Sequence, residues 1–151
     1  MSGTNPWAEL RAALAERLRG QVPELAESCA AWNGEEEERL FQLARLRGAA
    51  AWVRLHAARA IPGAPRAEDA VAVEVEVLAV AASQRHRAVA AADAEALAWR
   101  IRAALETHRP VSRASGGCTF AAQTMRSTSP SAHAVQLTFH LVLHLAQRAT
   151  T

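Results

Sequence analysis

A chain of 151 residues fits one ordinary domain and is too short for two cores of comfortable size. Half of it is apolar and 21% is charged, which excludes a charge-rich disordered chain. A formal charge of +2 supplies no dense basic face of the kind that marks nucleic-acid binders.

Finer composition narrows the class. No apolar run reaches the roughly 18 to 20 residues that span a bilayer, because Glu74, Glu76, Gln136 and His140 interrupt the best candidates. The opening Met1-Ser2-Gly3-Thr4-Asn5-Pro6 has neither a basic n-region nor an apolar h-region, so the expected compartment is the cytoplasm. All 17 basic side chains other than His are Arg, and there is no Tyr, a bias that fits a GC-rich coding sequence better than selection for phosphate recognition. Aromatics make up 5% and alanine much of the apolar half, so the core is expected from small and branched aliphatics that bury little area per ordered residue. A single copy is then expected to be marginally stable, and burial against a neighbour would offset part of the backbone entropy. Cys29 and Cys118 form no CxxC pair and are expected to be two unpaired core residues.

In chain order, the first predicted element is a helix over Pro6–Arg19. Thr4 or Asn5 caps it, Pro6 suits its first turn, and Gly20 stands where a left-handed C-cap is wanted. Trp7, Leu10, Ala13, Leu14 and Leu18 recur at three- and four-residue spacing as its buried stripe. Glu24–Trp32 reads either as a short edge strand ending at Asn33-Gly34 or as further helix, the strand being preferred. Glu35–Glu38 open a second helix with acidic residues at the positive end of its dipole. Leu40, Phe41, Leu43, Ala44 and Leu46 supply its apolar face before Gly48.

From Ala50 to Ala60 the period turns to two, Trp52, Arg54 and His56 alternating with Val53, Leu55 and Ala57 as a strand with one wet face. Ile61-Pro62-Gly63-Ala64-Pro65 reads as a surface connection to a long strand, Asp69–Ala82, whose Val71, Val73, Val75 and Val77 point one way. Its other face, Glu74, Glu76, Leu78 and Val80, passes from charged to apolar, as expected of a surface that a neighbour covers at one end only. These four are candidate subunit-interface residues. Ser83–Arg87 is a polar turn, and Ala88–His108 is the strongest helix, with Ala94, Leu97, Ala98, Ile101, Ala104 and Leu105 on one face until Arg109-Pro110 stops it. Gly116-Gly117 reads as flexible loop, Cys118–Met125 as a strand and Ser127–Ser131 as a turn. His133–Leu145 is a central strand with an inward file of Val135, Leu137, Phe139, Leu141, Leu143 and Leu145, opposed by Gln136, Thr138, His140 and His144. The sum is one α+β domain, with a mixed or antiparallel sheet of about four to five strands and helices packed mainly on one face.

The chemistry-bearing residues are scattered. No GxSxG elbow, HExxH pair, phosphate-binding glycine loop or dinucleotide fingerprint occurs. His140 and His144 stand about 13 Å apart along a strand, too far to share one zinc, and His56 joins them only if its strand is adjacent. Glu74 and Glu76, about 7 Å apart on a strand face, match paired carboxylates in spacing but lack an acid partner or oxyanion device. No catalytic, cofactor or metal residue is therefore assigned. Arg85, His86 and Arg87, with Arg100 and Arg102 on the following helix, form a local positive patch able to meet DNA phosphates or a partner, without the interleaved aromatics that stack bases.

Several segments together resemble the tail-terminator, or tail-completion, proteins of long-tailed bacteriophages, especially the Mu-like group and its prophage relatives. They are the opening helix with Leu10, Leu14 and Leu18, the segment Ala50-Ala51-Trp52-Val53-Arg54-Leu55, and the run from Val71 to Val80. With them go the helix from Ala94 to Leu105 leading into His108-Arg109-Pro110, and the closing Val135-Gln136-Leu137-Thr138-Phe139-His140-Leu141. The resemblance is one of order and texture over most of the chain. It implies a small structural subunit, not an enzyme and without a cofactor, that forms a six-membered ring. Such a ring caps the finished tail tube, ends its polymerisation and presents a docking surface to the head or neck. The implied partners are further copies of the chain, the tail-tube protein and the head or neck connector, with DNA passing through unread, and the implied location is the head-proximal end of the virion tail. A head-completion or neck subunit, or the cap of a phage-derived contractile injection device, is the neighbouring alternative. A small metal-dependent enzyme using His140, His144 or the Glu74/Glu76 pair is the remaining one.

Overall fold

Helix α1 (Pro6–Gln21) begins where Asn5 caps it: the side-chain Oδ1 accepts from the backbone N–H groups of Trp7 and Ala8, at 3.0 and 3.5 Å. The computed structural model describes residues 5–61, 70–83, 87–129 and 132–145, so Thr4 lies outside the described residues. Gly20 is not the left-handed cap expected of it, since α1 runs through it and ends at an extended Val22, whose N–H donates to the Leu18 carbonyl. The stop belongs to Pro23, which disfavours helical geometry at the residue before it. Leu10, Leu14, Ala15 and Leu18 are buried; Ala15 takes the place expected for Ala13, which is half-buried.

The ambiguous stretch divides. Pro23–Leu25 is a single 3-10 turn, and only Cys29–Ala31 forms a strand, β1. It pairs in parallel with β2 (Ala49–Ala60), from Cys29 opposite Ala51 to Ala31 opposite Val53. Between them α2 (Glu37–Arg47) starts with acidic and ends with basic residues, both favourable to its dipole, and stops at Gly48 with a left-handed φ of 93°.

The remaining elements are β3 (Ala70–Ala82), α3 (Arg87–Glu106), β4 (Thr119–Ser129) and β5 (Ala132–His144). They complete an α+β fold around one sheet of order β1-β2-β3-β5-β4, parallel at β1–β2 and antiparallel elsewhere. β5 is interior, as its apolar file requires, with β3 at the centre. Where a turn was expected from Ser127, β4 instead continues to Ser129 through a register shift that keeps it paired with β5. Pro130 and Ser131 lie outside the described residues, as do 62–69 of the expected connection.

Side-chain parity divides the sheet into two faces. Odd-numbered residues of β3 and β5 meet Leu10, Leu14 and Leu18 of α1 and Leu97, Ile101 and Leu105 of α3 in the main core. Each of these six is at most 1% exposed and contributes roughly 1.5–3 kcal/mol over full exposure. On the opposite face α2 lays Leu40, Phe41 and Ala44 over Ala50, Trp52, Val80, Ala132 and Ala134. Helices thus crowd one face, and a third covers one end of the other.

The loop after α3 is less free than a glycine pair implies. The Cys118 N–H donates to the Leu105 carbonyl at 3.1 Å, and a Cβ on Gly117 would stand 2.5 Å from the Glu106 carbonyl oxygen. Gly117→Ala is therefore expected to cost about 1–3 kcal/mol, read as a lower urea midpoint. Gly116→Ala, with open space around the new methyl group, is expected to leave the midpoint nearly unchanged.

Candidate functional site

Beyond the reach of α2, the second face of the sheet turns polar. Strand register sets Arg54 opposite Glu76, Glu76 opposite Thr138, and Glu74 opposite His140. A register shift between Leu55 and Ala57 brings Ala57, expected on the face of Val53, level with Glu74. His56 at this irregularity lies between two carboxylates, Nδ1 3.6 Å from Glu76 Oε2 and Nε2 3.9 Å from Glu74 Oε2.

Glu76 dominates the electrostatics. Its side chain is only 4% exposed, and Arg54 holds it by a two-pronged bond, Nε at 2.7 Å and Nη2 at 3.0 Å. Hydrogen bonding to Glu76 raises the Arg54 pKa above its already high ordinary value; burial opposes this, and the charges of Glu76 and Glu37 add to it. The Arg54 guanidinium also stands 5.7 Å from the ring centre of Trp32, whose indole N–H donates to the Glu35 carbonyl at 2.8 Å. Above the cluster lies a depression of about 110 Å³ lined by His56, Glu74, Glu76, Gln136 and Thr138. Ligand pockets are usually about 300–1,000 Å³, so this one suits water or a small ion.

The arrangement gives Glu76 a structural task, since both its oxygens are engaged by Arg54. Among the described residues no three or more His, Cys, Asp or Glu side chains converge as a metal site. β3 separates β2 from β5, so His56 and His140 flank Glu74 from opposite sides. His144 lies further along β5, with its Nε2 2.8 Å from Ser115 Oγ.

The candidate interface residues need correction. The neighbour covering the apolar end of β3 is α2 of the same chain: Val80 is fully buried there and Leu78 packs against the same cluster. Glu76 is buried beneath Arg54, which leaves Glu74 and Leu78 as the half-buried members of the four. Periodicity shows that a face is covered, not whether the cover comes from the same chain.

The candidate basic patch is also partly engaged. Arg100 pairs with Glu24 of the 3-10 turn. Arg102 bonds Glu106 at 2.6 Å and lies 4.1 Å from the ring centre of Phe120 and 5.8 Å from that of Trp99. Arg87 is the first residue of α3, while Arg85 and His86 lie outside the described residues.

Sequence reasoning missed the sheet's borders. β4 is an edge strand, exposed at every residue from Ala121 to Met125, and Trp99 on the nearby helix is 69% exposed. At the other border β1 covers β2 only as far as Val53, so Leu55–Ala60 has no strand on its outer side among the described residues. The edge of β1 itself is partly occupied, because Arg19 Nη1 donates to the Cys29 carbonyl at 2.8 Å. A stretch of β4 rich in small polar residues and alanine was the available signal; which strand ends the sheet depends on topology.

Both cysteines are free and buried, and burial pushes each thiol up to about 12, with Arg19 pulling Cys29 the other way. In the folded protein they stay protonated while the unfolded chain ionises above its ordinary thiol value of 9.0, so stability falls as pH rises from there toward 12. The chain has no Lys or Tyr to titrate in that window. Replacing Cys29 and Cys118 by Ala is expected to flatten the decline in urea midpoint between about pH 8.5 and 10.5. A second outcome concerns the ion pair. Arg54→Met strands a buried carboxylate and is expected to cost about 1–3 kcal/mol, discounted because Arg54 is itself partly exposed. Arg54→Met with Glu76→Met is expected to recover most of that loss, measured as a double-mutant cycle in urea.

A scan against protein-family models and a search of curated proteins find no match to this chain.

Proposed function

We propose that the protein is a structural subunit that joins copies of itself in a closed, six-membered ring, as the resemblance to bacteriophage tail terminators implies. The ring caps a tail tube, ends its growth and offers the head or neck a docking surface at the head-proximal end of the virion tail. The observation that carries this reading is the pair of sheet borders that carry no further strand among the described residues, β4 on one side and Leu55–Ala60 of β2 on the other.

Long exposed edges are templates for pairing, and monomeric proteins blunt them with Lys, Pro or short strands. β1 follows that rule, being three residues long and bonded by Arg19. β4 has eleven residues, no Pro and Arg126 as its single charge, and its two register shifts, at Phe120/Ala122 and Ser127/Ser129, leave Ala122–Ser127 regular between them. Two different borders on opposite sides of one subunit support a heterologous contact, and such a contact repeated by rotation closes a ring. The polar cluster on the second face favours no chemical reading over this one, since Glu76 is committed to Arg54. The tail-tube protein and the head or neck connector are the further partners, and DNA passes without base recognition. No helix among the described residues is long and apolar enough to cross a membrane.

Light scattering on the full chain after gel filtration is expected to find a species about six times the 16.2 kDa subunit mass, and negative-stain electron microscopy a ring with a central opening. A chain that stays monomeric at high concentration and never binds tail-tube ends would overturn the reading.

A further inference from the structure

We infer that the contact between neighbouring subunits is an antiparallel pairing of β4 in one copy with the open Leu55–Ala60 half of β2 in the next, so that the sheet continues around the ring. The inference rests on the ring reading above and adds to it the identity of both surfaces.

Strand direction is the first support. β2, β3, β5 and β4 are antiparallel at each step, so β4 runs opposite to β2. A second copy set beside β4 in the same orientation presents its β2 antiparallel, and its helices stay on matching faces. Availability is the second. β1 blocks the proximal part of β2 as far as Val53, whereas His56, Ala58, Arg59 and Ala60 are exposed.

Charge sets the stagger. Thr119 is level with His140, Glu74 and Ala57, so two copies placed without a shift would set Gln123–Met125 of β4 against β1. Sliding the next copy by about six residues, roughly 20 Å, brings its open β2 half against Gln123–Ser129. A ring accommodates such a shift by tilting its strands. This end of β4 lies beside the acidic start of α2, as the 2.9 Å bond from Arg126 to Glu37 establishes. Arg59 lies opposite Ala72, on the α2 side of the sheet, so Arg59 and His56 of one copy approach Glu36 and Glu38 of the other.

The test uses cysteines at exposed positions that share a sheet face and stand opposite each other after the slide, Ala58→Cys in β2 and Met125→Cys in β4, in the full chain, whose own two thiols are buried. Mixing the two single variants and oxidising is expected to give a reducible mixed dimer, and the double variant a ladder of linked subunits on a non-reducing gel. If the protein sediments as an oligomer but gives no mixed dimer, the ring reading stands and this contact is wrong. Self-linking of Met125→Cys as the sole product means a two-fold β4–β4 pair and overturns the inference; a monomer throughout overturns both. Arg59→Glu is expected to weaken association about tenfold, and Glu36→Arg in the same chain to restore it. Association that ignores the Arg59 reversal rejects the stagger.

Discussion

Strict alternation along β3 is the constraint on which the rest of this molecule depends. Being the central strand, β3 must be satisfied on both faces and along both edges. Its odd residues, Val71 to Ala81, are all buried in the main core, and this binds α1 and α3 to one side of the sheet. Its even residues have no common environment. Val80 and Leu78 require apolar cover, Glu76 requires a counter-charge, and Glu74 tolerates water. The second face is therefore divided along its length, with α2 over one end and polar side chains over the other. A one-residue slip of β3 would exchange the faces and bury Glu74 and Glu76 under α1 and α3.

The Arg54–Glu76 pair follows from that constraint. A carboxylate on the central strand, next to the edge of α2, is too enclosed for water to solvate it fully, and an unpaired charge there is costly. Arg54 solves this from the neighbouring strand because register sets it directly opposite. Its long stem shields Glu76 while its guanidinium head stays partly in solvent. The pair need not add net stability to have a structural effect: it makes one register of β2 against β3 satisfactory and penalises the others. That is a specificity argument for a residue that, taken alone, resembles half of a catalytic carboxylate pair.

How far the sequence revealed this differs from element to element. The valine alternation of β3 and the file of β5 were readable because each strand is long enough for a period of two to stand out, and both cores formed where those patterns place them. α3 was readable for the equivalent reason at helical spacing. β1 was not, because three residues carry no period and its pairing partner lies across α2 in the chain. Gly20 misled because a glycine after a helical stripe resembles a cap, whereas Pro23 sets the stop. Of the candidate site, the polar character of the Glu74–Glu76 face was legible and its partners were not. Arg54 and His56 approach it through register and through the irregularity after Leu55, both long-range properties.

The same logic bears on assembly. Among the described residues outside α1 and α2, twelve alanines, from Ala49 and Ala50 to Ala132 and Ala134, are buried, and each removes far less apolar area from water than a leucine would. A domain built this way has few large side chains to spare for a hydrophobic interface of the usual anchored kind, and only Trp99, Leu46, Met125 and Trp32 are large apolar residues left exposed among the described residues. Backbone pairing along a sheet edge has no such requirement, since it uses groups every residue carries and needs only an accessible strand edge on both partners. Scarcity of anchors and openness of edges thus both favour the proposed mode of association, in which main-chain hydrogen bonds would set the geometry and a few flanking charges the register.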